Sequence, residues 1–217
     1  MKIGALGVTI TVASGDSGCH GRTDEGCGIA KAGQMTYPDY PACSPYVTSI
    51  GGTALIDGVS NSPKAPICKT LNCATGGSET TATPAKTGGG SAISSGGGFS
   101  NYAARPTWQD KVVSAYLVAA KASLPKAEYF QAQNRGFPDV SALAHNYYVQ
   151  FGGNPTMVDG TSCASPVWSG IIGLINAHRL RNGKPVVGFA NPLLYQVAEA
   201  TAGAAFQVYL HVLFLTP

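Results

Sequence analysis

From about Ser162 to Arg181 the sequence reads as one long helix that is apolar nearly all the way round. Val167, Trp168, Ile171, Ile172, Leu174 and Ile175 cover most of its circumference. Such a helix has to be surrounded, so it is expected at the centre of a layered domain. Gly183 ends it, after Arg179 and Arg181 in the last turn, where cations suit the helix dipole. The rest of the chain has to supply what packs around it.

Gly7 to Ala13 (GVTITVA) is β-branched and apolar and predicts a buried parallel strand, closed by the turn Ser14-Gly15-Asp16-Ser17-Gly18. The opening from Met1 mimics a short signal peptide. It runs straight into that turn with no spacer for cleavage, so a strand is the better reading. Tyr46–Ile50, closed by Gly51-Gly52, and Ala54–Val59 predict two more strands. Asn61 to Ser95 reads as a long surface loop, stapled or clamped in place. Thr107–Ala122 has helical periodicity, with Trp108, Val112, Ala115, Tyr116 and Ala119 on one face and Pro125 as a stop. Phe137–Ala142 and Asn146–Phe151 read as short strands, and a shorter helix follows Asn191-Pro192. Strands alternating with helices indicate an α/β layered fold.

Composition excludes several classes. Only 12% of the 217 residues are charged, and the net charge of +3 comes from scattered Lys and Arg. Without a basic run, nucleic acid is not expected as a partner. No stretch reaches the ~18 apolar residues that span a bilayer, so no membrane partner is expected either. The six cysteines, Cys19, Cys27, Cys43, Cys68, Cys73 and Cys163, lack zinc-ribbon spacing. Four sit in loop-like sequence, which suits disulfides of unassigned pairing; free buried thiols are the alternative.

Chemistry concentrates where the long helix begins, at Gly160-Thr161-Ser162-Cys163-Ala164-Ser165-Pro166. First-turn amides are unpaired and carry partial positive charge. They can stabilise negative charge near Ser162 Oγ and on a carbonyl it attacks. Pro166 costs little so near the helix start. An ordinary N-cap is the competing reading, since Gly-Thr-Ser before an apolar helix is common capping chemistry.

The wider pattern weighs against that competitor. Gly-Thr-Ser-x-x-Ser-Pro, followed by Trp168, Gly170 and the apolar helix, resembles the serine motif of subtilisin-fold peptidases. Four segments upstream agree in order: Ala13–Gly18, Pro41–Thr53, Gly96–Tyr102 with Arg105-Pro106, and Arg135–Ala142. Together they resemble the sedolisins, or serine-carboxyl peptidases. Asn176–Leu180, Gly183–Pro185 and Gly188–Tyr195 resemble the tripeptidyl-peptidase I branch.

The resemblance implies a subtilisin-like three-layer α/β fold with a mostly parallel sheet, incomplete at both ends. Residues 1–206 would form a partial peptidase domain and 207–217 a divergent tail. It implies Ser162 as nucleophile and Asp16 as the oxyanion residue, with Ser14 and Gly15 lining part of the substrate cleft. Subtilisins hold Asn at the position of Asp16. An Asp can donate to an oxyanion only when protonated, and aspartic acid ordinarily titrates near pH ~3.9, so chemistry at acidic pH is expected. The substrate would be a peptide or protein, in a lysosomal or secreted setting.

Two family features are missing. Sedolisins activate the serine with a glutamate oriented by an aspartate at Glu-x-x-x-Asp spacing, one face of a helix. Here Glu25 is followed four residues on by Ile29, Glu79 by Thr83, Glu128 by Ala132 and Glu199 by Gly203. The pair is expected upstream of Gly7–Gly18, so Met1 reads as an internal residue of a longer parent. A propeptide or the missing N-terminal part of the catalytic domain is then a partner. His20, His145, His178 and His211 are the alternative bases; His178 lies about 24 Å along the helix from Ser162 at ~1.5 Å per residue. Calcium is expected for the complete family domain, but no Asp or Glu follows Glu199, and no cofactor is expected in this chain. The chain is therefore expected to be an inactive piece of an acid serine peptidase, with a peptide-binding pseudoenzyme or a truncated gene product as alternatives.

Overall fold

The computed structural model describes residues 2–21, 36–56, 78–85, 90–201 and 205–206. A short helix α1 (Lys2–Ala5) leads into strand β1 (Thr11–Ala13). Strands β2 (Thr48–Ile56), β3 (Ser78–Thr81) and β4 (Gly98–Ala104) follow, then helix α2 (Asp110–Ala119). Strands β5 (Asn134–Phe137), β6 (Val140–Leu143), β7 (Tyr147–Phe151) and β8 (Asn154–Val158) precede the long helix α3 (Thr161–Arg181) and the closing helix α4 (Asn191–Ala200).

The mostly parallel sheet implied by the sequence is not what forms. β2 is central to a four-stranded sheet; it pairs in parallel with β1 and β6 but antiparallel with β3. β4–β5 and β7–β8 are separate antiparallel pairs. The described residues thus form an α/β fold of mixed topology in which antiparallel pairings prevail. The reason is local. β7 and β8 are joined by Gly152-Gly153, both at positive φ, and a two-residue turn can connect only antiparallel neighbours.

β2 corrects a second expectation. Gly51-Gly52 does not close a strand; it lies inside one. A β-carbon on Gly51 would sit 2.6 Å from Ser141 Oγ, and one on Gly52 would sit 2.6 Å from Ala144 Cβ. These glycines let β6 and the residue after it approach closely. Conversely, Phe137–Ala142 is two strands, broken at Pro138-Asp139. Residues 57–59 of the predicted third strand lie outside the described residues, as do Cys27, Cys68 and Cys73. Cys19, Cys43 and Cys163 are free thiols.

Helix α3 packs on β1, β2 and β6. Its inward face is Thr161, Ala164, Trp168 and Ile172, and Trp168 Nε1 donates to Ser141 O at 3.0 Å. Around Trp168 lie Ile50, Ile93, Ala144 and Ala164. The full enclosure expected of this helix is not seen: Leu174 is 71% exposed and Ile175 45%. α2 turns Val113, Tyr116 and Leu117 toward Phe99 and Phe130, one residue round from the predicted face.

A buried ion pair ties these parts together. Arg135 and Asp139, both fully buried, meet with Nη2 2.6 Å from Oδ2 and Nη1 3.0 Å from Oδ1. Arg135 also donates to Ser44 O and Val47 O. Asp139 accepts from Ser49 N at 2.8 Å and Tyr195 OH at 3.0 Å. Gln109 bridges Tyr195 OH and Gly136 O, each at 2.7 Å. Arg135→Met leaves a buried carboxylate without its cation. It is expected to cost about 3–5 kcal/mol, read from urea unfolding midpoints against the parent chain.

Candidate active site

Three segments build the site: the turn after β1, the loop before β4, and the entry to α3. β1 ends at Ala13, and Ser14 N still donates to Ile50 O at 2.9 Å. The chain then turns at Gly15, which has φ +106° and lies so close to Asp39 that a β-carbon would fall 2.2 Å from its Oδ2. Only glycine fits there. This throws the Asp16 side chain toward the start of α3.

The carboxyl of Asp16 lands on the helix N-terminus. Thr161 N donates to Asp16 Oδ1 at 2.8 Å. Thr161 Oγ1 lies 2.8 Å from the same oxygen and 3.1 Å from Gly15 O, so its one proton is shared between them, while Gly15 N donates to Oγ1 at 3.2 Å. Asp16 thus caps α3 from a distant segment, satisfying an amide that the helix cannot. Oδ2 accepts none of the described hydrogen bonds. It lies beside Gly160: a β-carbon there would sit 3.6 Å from Oδ2 and 3.8 Å from Ser162 Cβ, so Asp16 and Ser162 flank the same glycine. Ser162 is exposed, in the first turn of α3.

The loop before β4 backs this turn. Ser94 N donates to Asp16 O at 3.0 Å, Gly96 N to Gly15 O at 2.7 Å, and Gly18 N to Ser94 O at 3.0 Å. Gly96 passes so near that a β-carbon would meet Ser14 O at 2.1 Å. Ser14, predicted as a cleft residue, is 1% exposed beneath the turn; Gly15 is half-buried at its surface. Two shallow cavities, of about 420 and 440 Å³, lie elsewhere, around His145–Tyr148 and around Tyr40–Tyr46.

Sequence reasoning missed Asp159. Its carboxylate accepts from Ala92 N at 2.6 Å, Ser91 Oγ at 3.0 Å, Asn146 N at 2.8 Å and His145 Nδ1 at 2.8 Å. Burial alone would raise its pKa. The hydrogen bonds from Ala92, Asn146, His145 and Ser91 outweigh it and hold the carboxyl down at about 2. His145 is engaged at both nitrogens, its Nε2 lying 2.9 Å from Asn146 Nδ2, so neither is offered to Ser162. His178 is exposed near the far end of α3, and His211 lies outside the described residues. The only sequence signal for Asp159 was its place before Gly-Thr-Ser.

Among the described residues no group of three His, Cys, Asp or Glu side chains is placed to hold a metal ion. The tail from Gln207, where calcium ligands were judged missing, lies outside them. No described helix is long and apolar enough to cross a membrane.

An exposed serine thus stands in the first turn of a helix whose N-terminal amide is capped by a carboxyl from a neighbouring strand end, on an α/β scaffold. Comparison with known proteins narrows the class. The chain is 42% identical over 199 residues to physarolisin of Physarum polycephalum, covering 90% of this chain and 33% of that protein. It is 38% identical over 197 residues to tripeptidyl-peptidase 1 of Homo sapiens, covering 90% and 29%. Among solved structures it matches Pseudomonas sedolisin (serine-carboxyl proteinase), complexed with two molecules of pseudo-iodotyrostatin. That match has TM-score 0.60 and 25% identity over 93% of this chain and 46% of that one. No family model matches the chain. Sequence and fold together place it in the family of the sedolisins and tripeptidyl-peptidase 1, and it spans about a third of the length of the curated relatives it matches.

Two stability predictions follow from this geometry. Gly96→Ala drives a methyl into Ser14 O and is expected to cost about 1–3 kcal/mol in chemical denaturation. Asp159 has a folded pKa below its unfolded value of ~3.9. Its contribution is present above that value and is lost as pH falls toward about 2. The stability gap between the parent and Asp159→Asn is therefore expected to close between pH ~5 and ~2, read from denaturant midpoints.

Proposed function

We propose that Ser162 is the nucleophile, and Asp16 an oxyanion donor, of a serine-type peptidase that cleaves peptide or protein substrates at acidic pH. The observation that carries this reading is the Asp16 carboxyl on the N-terminus of α3. One oxygen is held by Thr161, and the other lies beside Gly160, which Ser162 flanks from the helix side. Ser162 Oγ would bond to the scissile carbonyl carbon, and the carbonyl π pair would move onto oxygen. The Ser162 amide and a proton on Asp16 Oδ2 would stabilise that oxyanion, and collapse would expel the amine and leave an acyl-enzyme. Gly15 would line the cleft on the same turn, with Ser14 supporting it from below.

The proton on Ser162 Oγ needs a base. None of the four glutamates of this sequence has an aspartate four residues on. On this reading the Glu/Asp pair belongs to a preceding part of the catalytic domain, and this chain alone supplies only the share of catalysis due to oxyanion stabilisation and binding, ~10³–10⁴ over water in comparable enzymes. Similarity to physarolisin and tripeptidyl-peptidase 1 supports the tripeptidyl-peptidase I-like branch. The need for a neutral Asp16 supports an acidic lysosomal or secreted setting.

Fluorophosphonate labelling of the purified chain tests this. Labelling is expected to rise as pH falls from 7 to about 4 and to vanish in Ser162→Ala. Asp16→Asn, whose amide donates at every pH, is expected to flatten the profile; Asp16→Ala is expected to lower labelling ~10²-fold. A folded chain whose Ser162 stays unlabelled throughout would indicate a peptide-binding pseudoenzyme instead.

A further inference from the structure

Asp159 gathers donors from two separate segments, Ser91-Ala92 and His145-Asn146. It stands one residue before Gly160, whose amide is fixed by Ala144 O at 2.8 Å. Ser91 and Ala92 open the loop that continues to Ser94 and Gly96. Those two amides hold the turn of Asp16 through Asp16 O and Gly15 O. A closed ring of main chain and hydrogen bonds results. It runs from Asp159 to Ser91-Ala92, along the loop to Ser94 and Gly96, across to Gly15-Asp16, and back through Asp16 Oδ1 to Thr161. The contact between Asp16 and the start of α3 is one side of this ring, and Asp159, two residues before Thr161, forms the adjoining corner where the loop is tied to the helix entry.

We infer that Asp159 is a positioning residue that fixes Asp16 relative to Ser162, by clamping the loop of residues 91–96 onto the entry to α3. This rests on the roles proposed above for Asp16 and Ser162. The side chain is 11% exposed and its partner His145 13%, so water competes little for these bonds. The ionisable groups around it are His145, bonded to Oδ2, and the half-buried Cys163. Burial first, then the charges of Asp16 and Asp159, push the Cys163 thiol up, so it stays neutral. The four donors keep Asp159 ionised in the acidic range where the proposed chemistry needs Asp16 neutral.

The test uses the full chain carrying Asp159→Asn, read by amide hydrogen exchange and by fluorophosphonate labelling. Exchange at Thr161 is expected to accelerate about tenfold or more together with Ala92 and Asn146. Ser49, held by the Arg135–Asp139 network, is expected to keep its protection. Labelling of Ser162 is expected to slow about tenfold while still rising toward acid pH. Ser91→Ala removes one donor of four; it is expected to give a smaller shift of the same kind and decides the matter if Asp159→Asn does not fold. The inference is overturned if Ala92 and Asn146 lose protection while Thr161 does not, or if Ser91→Ala leaves Thr161 unchanged. A chain never labelled at Ser162 counts against the serine chemistry, and the exchange at Thr161 still decides the clamp.

Discussion

A fully buried arginine and aspartate, four residues apart on either side of the break between β5 and β6, set the frame for everything else. Two charges removed from water are tolerated only if every lone pair and proton finds a partner. Arg135 and Asp139 meet that condition by drawing in Ser44, Val47, Ser49, Gln109, Asn191 and Tyr195. The Tyr195 phenol is pushed well above its usual range by burial and by the Asp139 carboxylate beside it, so it remains a donor. Those partners belong to β2 and the segment leading into it, the turn before α2, and α4, so one ion pair orients three elements. It also sets the register. Ser49 N donates to the Asp139 carboxylate while Asp139 N donates to Ser49 O at 2.9 Å, which places Val140 beside Ile50.

That register reaches the site. β6 runs from Val140 to Leu143 and delivers Ala144, whose carbonyl holds the Gly160 amide. On its other side β2 fixes β1, which delivers the turn of Asp16. Asp16 and Thr161, 145 residues apart in sequence, therefore meet because both are positioned from the same central strand. The close approaches at Gly51, Gly52 and Gly96 leave no slack between these strands and the loop. Packing at that density transmits a shift at one point to its neighbours.

Much of this was legible in the sequence, and the exceptions have physical causes. The turn at Asp16 and the helix start at Ser162 were readable because both need residues of special conformation or hydrogen-bonding type. The helix after Asn191-Pro192 was readable from Pro in its first turn. β2 was misread because glycine marks either a turn or a close approach, and only the neighbouring strands tell which. The mostly parallel sheet was carried over from the family resemblance, the β-branched run at Gly7–Ala13 suits either direction, and β8, with Pro155, gave no strand signal at all. α3 is apolar on a face that no described element covers, since periodicity reports what a helix can bury rather than what lies against it. Asp159 escaped notice because its partners come from two distant segments of the chain, and no local spacing encodes them.

The choice of aspartate at position 16 then has a physical reading. The capping task needs an acceptor for Thr161, and either ionisation state of a carboxyl provides one at Oδ1. The proposed oxyanion task needs a donor at the other oxygen, which only the neutral form provides. An asparagine would perform both at any pH, with its carbonyl toward Thr161 and its amide toward the oxyanion. What the carboxyl would add is a condition: Oδ1 can accept in either state, while a donor at Oδ2 would exist only when a proton is bound. On the proposed reading the two oxygens divide the work, and the two tasks are coupled: a neutral acid still accepts from Thr161 but caps the helix more weakly than a carboxylate, having lost its charge toward the helix dipole.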